Sequence, residues 1–194
     1  NTQEASVAVS GTMGEESFEF TPMTMTMKRV KGPSARPASA RADAKPVELH
    51  EGVKLSEQHK MLERFAGTWD ADMEMMGQKF KGEMVWTLGY GGLWLTLDFK
   101  AKVMGQDFQG HGMVGYDSNR KSYVGAWVDS WTPSMMLTTG SFENGVFTEN
   151  GKTINPATGE PTRSRHTSRF VDDNTIEWQM FDVDADGEAS PTLK

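Results

Sequence analysis

The sequence predicts an all-β protein: an antiparallel up-and-down β-barrel behind one short α-helix, with an N-terminal strand and linker in front. Three observations carry this. From Thr68 onward apolar and polar residues alternate with a period of two, as far as the region of Asp182, which is the pattern of strands with one buried face. Turn signals recur at short spacing through the same region, among them Gly91-Gly92, Asn144-Gly145 and Asp173-Asn174, with no helical pattern between them, so successive strands pair as a meander. A run of about nine such strands closes into a barrel, because closure removes the exposed edges.

Taken in order, residues 1–30 are polar at first and then strand-like in SFEFTPMTMTMKRV. Residues 31–50 are rich in Pro, Ala and basic side chains without an apolar period, and read as a linker. Residues 51–194 are the barrel domain. Within it LSEQHKMLERFA, residues 55–66, places Leu55, Met61, Leu62 and Phe65 on one helical stripe, with Ser56 or Lys54 near the start and Gly67 just past the end. The strands expected to follow are WDADMEMM, KFKGEMVWTLGY, LWLTLDFKAKVM, DFQGHGMVGYD, SYVGAWVDSW, MMLTTGSFE, VFTENGK, TRSRHTSRFVD and TIEWQMFDVD.

Composition narrows the function classes. A net charge of −7 over 194 residues argues against nucleic-acid binding. No apolar run approaches the length of a membrane span. The absence of cysteine excludes disulfides, Cys-ligated zinc and thiol catalysis. A chain beginning at Asn1 is what a processed protein or a fragment presents, and on the first of these the expected location is secreted, periplasmic or at the cell surface.

The stretch HKMLERFAGTW, His59 to Trp69, resembles the opening of a bacterial family of calycin-like barrels catalogued as a domain of unknown function. The likeness continues through Gly91-Gly92-Leu93-Trp94, Gly115-Tyr116-Asp117, Val124-Gly125-Ala126-Trp127-Val128-Asp129-Ser130 and Phe170-Val171-Asp172-Asp173, and covers about residues 51–188. It implies a barrel fold and no established activity. Gly67-Thr68-Trp69 is also similar to the Gly-x-Trp opening of lipocalins, in which the Trp closes the barrel base and an Arg from the last strand stacks on it. That stacking is worth roughly 0.5–2 kcal/mol. The plainer alternative is a core aromatic at a strand start.

Members of the resembled family continue after a turn like Asp184-Ala185-Asp186-Gly187 into one more strand, where this chain ends in SPTLK. The stretch around MTMTMKRV has the character of that strand. Phe18, Phe20, Met23, Met25, Met27 and Arg29 are therefore expected in a barrel-closing strand, with Arg29 covering Trp69. The strand can fold back on its own barrel or complete that of a neighbour. The second geometry generates rings or filaments.

Catalytic signals are sparse. There is no G-x-S-x-G, P-loop or strand-following G-x-G-x-x-G. His50 lies at the linker end and His59 is expected on the exposed side of the helix, whereas His111 and His166 sit within strands and can face the lumen. Gly110-His111-Gly112 reads as a strand bend at a barrel corner. Asp182, Asp184 and Asp186 begin a D-x-D-x-D-G pattern, yet the position that should carry a bidentate Glu is Leu193, so the stretch is a weak calcium candidate and reads as an acidic turn. No cofactor is expected. The candidate lumen set is Trp86, Phe99, His111, Tyr116, Trp127, Trp131, His166 and Trp178. A packed core is the plainer expectation for these residues, with an apolar-ligand cavity as the alternative.

The leading functional expectation is a non-enzymatic subunit that self-assembles as a homo-oligomer or polymer by strand exchange. A carrier of a small apolar ligand is the alternative, and a haem or metal protein using barrel histidines the weaker one.

Overall fold

The computed structural model describes residues 9–13, 16–20, 23–31, 48–75, 77–155 and 158–184. Two strands, β1 (Val9–Met13) and β2 (Glu16–Phe20), pair antiparallel in a small sheet of their own. The next, β3 (Met23–Lys31), belongs to the barrel. Helix α1 (Glu57–Leu62) follows, and then a meander of nine strands: β4 (Gly67–Met75), β5 (Gln78–Gly89), β6 (Trp94–Val103), β7 (Gln106–Asp117), β8 (Ser122–Asp129), β9 (Met136–Glu143), β10 (Val146–Ile154), β11 (Pro161–Asp172) and β12 (Thr175–Asp182). Together with β3 these close a ten-strand antiparallel barrel.

The closing strand does not run over residues 17–30. Phe18 and Phe20 fall in β2, in register with Gly11 and Val9 of β1, so they are not part of the barrel strand. Pro22 has no N–H to give a ladder, and β3 begins one residue after it. From there Met27 pairs with Ile176 of β12 and with Ala71 of β4, so β3 is hydrogen-bonded on both sides. Most of the expected linker, residues 32–47, lies outside the described residues.

Alternation sets the core. In β4 Trp69, Ala71 and Met73 point inward while Asp70 and Asp72 face solvent. In β3 Met25 and Met27 are buried between outward Thr24, Thr26 and Lys28. Each fully buried side chain of this kind, such as Met27, Leu95 or Ile176, contributes roughly 1.5–3 kcal/mol.

Helix α1 is shorter than the apolar stripe suggests. Ser56 caps it, with its backbone N–H donating to His59 Nδ1 at 3.1 Å. After Leu62 the backbone bonds run i→i−3, from Glu63 to Lys60, Arg64 to Met61, Phe65 to Leu62 and Ala66 to Glu63. The tighter turn drives Phe65 into one end of the barrel, where it packs on Trp86, Phe147 and Phe170. His59 is buried, contrary to the expectation of an exposed ring: its imidazole meets Tyr116 edge-on at 5.7 Å. Burial pulls its pKa down, opposed by a backbone hydrogen bond with Tyr116.

Candidate functional site

The end of the barrel beside α1 is sealed. Arg29 and Trp69 are register partners across β3 and β4, and the guanidinium lies 4.1 Å from the indole centroid. The same group donates from Nη2 to the carbonyl of Arg64 at 2.6 Å, from Nη1 to that of Ala66, and from Nε to that of Asp173 at 3.2 Å. Trp69 Nε1 donates to the Phe65 carbonyl at 2.7 Å. One side chain on β3 thus satisfies the carbonyls left open where α1 unwinds, and covers the indole beneath them. Desolvation lowers the Arg29 pKa, and the charge of Asp173 opposes this. Tyr123 ties the floor to β8 through a 3.0 Å bond to the Gln58 carbonyl. Burial, reinforced by Tyr116, pushes its phenol up to about 12.

Beyond this floor the lumen is not packed solid. It encloses a cavity of about 300 Å³, the room of several water molecules. β3 supplies Met23, Met25 and Met27 to the wall; Trp86, Phe99, Trp127 and Trp178 supply aromatic faces. Trp127 lies flat across Gly110 and Gly112 of β7, and a Cβ at Gly110 would collide with its ring. These glycines therefore seat an indole instead of bending the strand at a corner.

The cavity has one polar side. Glu149 on β10 sits opposite His166 on β11 in the ladder, and both line the cavity with Thr138 and Ser168. Glu149 Oε1 accepts a hydrogen bond from the Thr138 hydroxyl at 2.9 Å. Burial raises the pKa of this carboxyl, and the Thr138 bond only partly offsets it. His166 is buried, packs against Trp178 at 5.6 Å, and has its pKa lowered by burial to about 4, so the ring is neutral at neutral pH. Glu149 is a residue that sequence reasoning missed. The only signal was its place inside VFTENGK, at an inward parity where a charge is out of pattern.

The rest of the expected set is dispersed. His111 is exposed on the outer face of β7, where Nδ1 is 2.9 Å from Asp98 Oδ1, because it lies one residue from the inward Gly110 and Gly112. It cannot join His166 at a ligand. Tyr116 packs on His59 and Tyr123 at the sealed end. Trp131 is exposed in the β8–β9 loop, edge-on to Phe108 at 5.0 Å. With Met104, Met135 and Ile154, also exposed, it stands at the end of the barrel opposite α1. His50 is exposed before α1. Asp182 ends β12 and is exposed, and Asp186 lies outside the described residues. Among the described residues no group of three or more His, Asp or Glu is placed to hold a metal ion.

One contact has the shape of a nucleophile–base pair, Ser164 Oγ and His166 Nε2 at 2.9 Å. It lacks the remaining parts. A histidine held near pKa 4 is a weak base, and among the described residues no carboxylate is hydrogen-bonded to its other nitrogen.

Among the described residues no helix is long and apolar enough to cross a membrane. No curated protein and no solved structure matches the chain. A family model described as "Protein of unknown function (DUF1579)" matches residues 54–194, which take in α1 and every barrel strand except β3, and the chain belongs to that family.

Proposed function

We propose that this protein is a non-enzymatic binder of a small, largely apolar molecule held in the barrel lumen. The observation that carries the reading is the cavity of about 300 Å³ walled by Met, Phe and Trp. That volume is at the lower end of small-molecule sites, and methionines adapt their shape to a guest at little cost. The likeness to calycins, barrels that often carry apolar ligands, points the same way. The sealed floor leaves the opposite end, rimmed by Met104, Trp131, Met135 and Ile154, as the side of entry. Titration with an apolar dye, followed by indole fluorescence from Trp86, Trp127 and Trp178, tests it. Saturable quenching that is lost in Ser168→Phe, a variant filling the cavity from β11, supports the reading. No saturable signal, or equal binding by the folded variant, rejects it.

A second reading is favoured by the connectivity. No hairpin joins β3 to either of its ladder partners, β12 and β4: residues 32–56 separate it from the helix that precedes β4. The same ladders to β12 and β4 can form with β3 of another copy, which would yield closed rings or filaments by strand exchange. The mass of the full chain in solution, compared with that of a chain lacking residues 1–31, decides. A full chain that is larger than a monomer and an assembly that dissolves on truncation support exchange. An unchanged assembly state rules it out.

A further inference from the structure

We propose that the lumen selects an organic cation, an amphiphile whose protonated amine pairs with Glu149 while its hydrocarbon body lies among the methionines and indoles. The inference rests on the lumen being a binding site and adds the chemical class of its guest.

The charge inventory of the cavity wall points there. Among the described residues two carboxyl groups line it, Asp129 and Glu149, and no Lys or Arg does. Asp129 is already occupied. Its Oδ2 accepts the Trp127 Nε1–H at 3.0 Å, and its Oδ1 accepts the backbone N–H groups of Trp131 and Thr132 at 2.9 and 2.8 Å. Among the described residues Glu149 takes one bond, from a neutral hydroxyl, and forms no ion pair. A carboxyl enclosed by protein with a single neutral partner is costly to keep charged. It is retained here on a wall that faces open space, where a guest can supply the missing counter-charge.

The surrounding aromatic faces complete the case. Trp127, its N–H satisfied by Asp129, and Trp178, beside His166, flank the polar side from β8 and β12, and Trp86 looks in from β5. Indole faces attract cations and do nothing for anions. His166 is uncharged and does not repel an ammonium. A carboxylate guest such as a fatty acid would meet two carboxyls and no cation.

The test is a calorimetric titration at pH 7 with octylamine, octanol and octanoate, which share one chain and differ in head group. Octylamine should bind at least about tenfold more tightly than octanol, the range expected for a charged hydrogen bond, and octanoate more weakly than either. In Glu149→Gln, an isosteric neutral variant, the amine preference should vanish while octanol affinity stays within about twofold of the parent. Octanol binding without an amine preference, or a preference that survives in Glu149→Gln, overturns the cation inference and leaves the lumen reading standing. If none of the three binds, the lumen reading falls, and this inference with it.

Discussion

Replacing Arg29 with Ala should loosen the whole closure of the barrel, and the cost can be built from its contacts. The guanidinium stacks on Trp69 and donates to the carbonyls of Ala66, Arg64 and Asp173. A partly desolvated cation–π contact is worth about 1 kcal/mol. Each carbonyl deprived of a charged donor adds about 1.5 kcal/mol when buried. The bonds to Arg64 and Asp173 are exposed and recover water, so only the Ala66 bond counts in full. The sum is about 2–3 kcal/mol. For a chain of this size that lowers the urea midpoint by roughly 1 M, read by the fluorescence of buried Trp69. Arg29→Lys keeps the charge but not the planar fork, and should fall between the two. A midpoint shift below about 0.2 M for Arg29→Ala would mean that β3 is held by its ladder and its methionines alone, and the fastening role argued above would be wrong.

Other expectations follow from single side chains. His166 titrates near 4 when folded, against 6.5 for the free side chain, so the unfolded chain binds the extra proton between these values. Its contribution is complete above pH 6.5 and is lost as pH falls toward 4, by up to roughly 3 kcal/mol. Glu149, with its pKa raised, has the opposite sign and costs stability as pH rises above 4.5. The change in urea midpoint on going from pH 5 to pH 7 should therefore be less positive, or more negative, in His166→Gln than in the parent; equal changes would refute the assignment. Gly110→Ala forces Trp127 off its seat and should cost about 1–3 kcal/mol, with a change in near-ultraviolet circular dichroism; an unchanged spectrum and midpoint would contradict the packing. Tyr123→Phe removes the bond to Gln58 and should cost about 1 kcal/mol. It should also delete a phenol that burial pushes up to about 12, and titration of the parent complete by pH 11 would refute that burial.

Most of the fold was legible because strand alternation is a short-range property. Asp70, Asp72 and their inward neighbours announce β4 with no knowledge of anything else in the chain, and the same holds for the other eight strands of the meander. The place of β3 was legible for a different reason: an alternating Met–Thr segment has to find a ladder, and Arg29 matched a known partner for Trp69. What failed depended on parity across a turn or on which end of the barrel a residue reaches. The parity of Phe18 and Phe20 is broken from that of Met23 by Thr21-Pro22. His111 was grouped with His166 although it alternates against glycines whose inward position becomes evident only when Trp127 is seen lying on them. Tyr116 and Trp131 are aromatic in the right strands but at opposite ends of the lumen. Glu149 was passed over because, in sequence, one acidic residue in a polar strand looks like solvent-facing surface. Its shared parity with Phe147 was the one hint, and the register with His166 shows that it faces in.

The two readings of this protein meet in β3. Met23, Met25 and Met27 form part of the cavity wall, so the site exists only while a β3 occupies the gap between β12 and β4. A guest in the lumen therefore binds the closed barrel and not the open one. At a concentration a hundred times its dissociation constant it would add about 2.7 kcal/mol to closure, comparable to the whole contribution of Arg29. That coupling runs both ways: whatever pulls β3 out empties the lumen, and whatever fills the lumen holds β3 in. If strands are exchanged between copies, the guest will slow the exchange without preventing the exchanged state, because a barrel closed by a neighbour's methionines presents the same wall. The identity of the strand's owner and the occupancy of the lumen are thus separate variables at equilibrium and linked ones in rate.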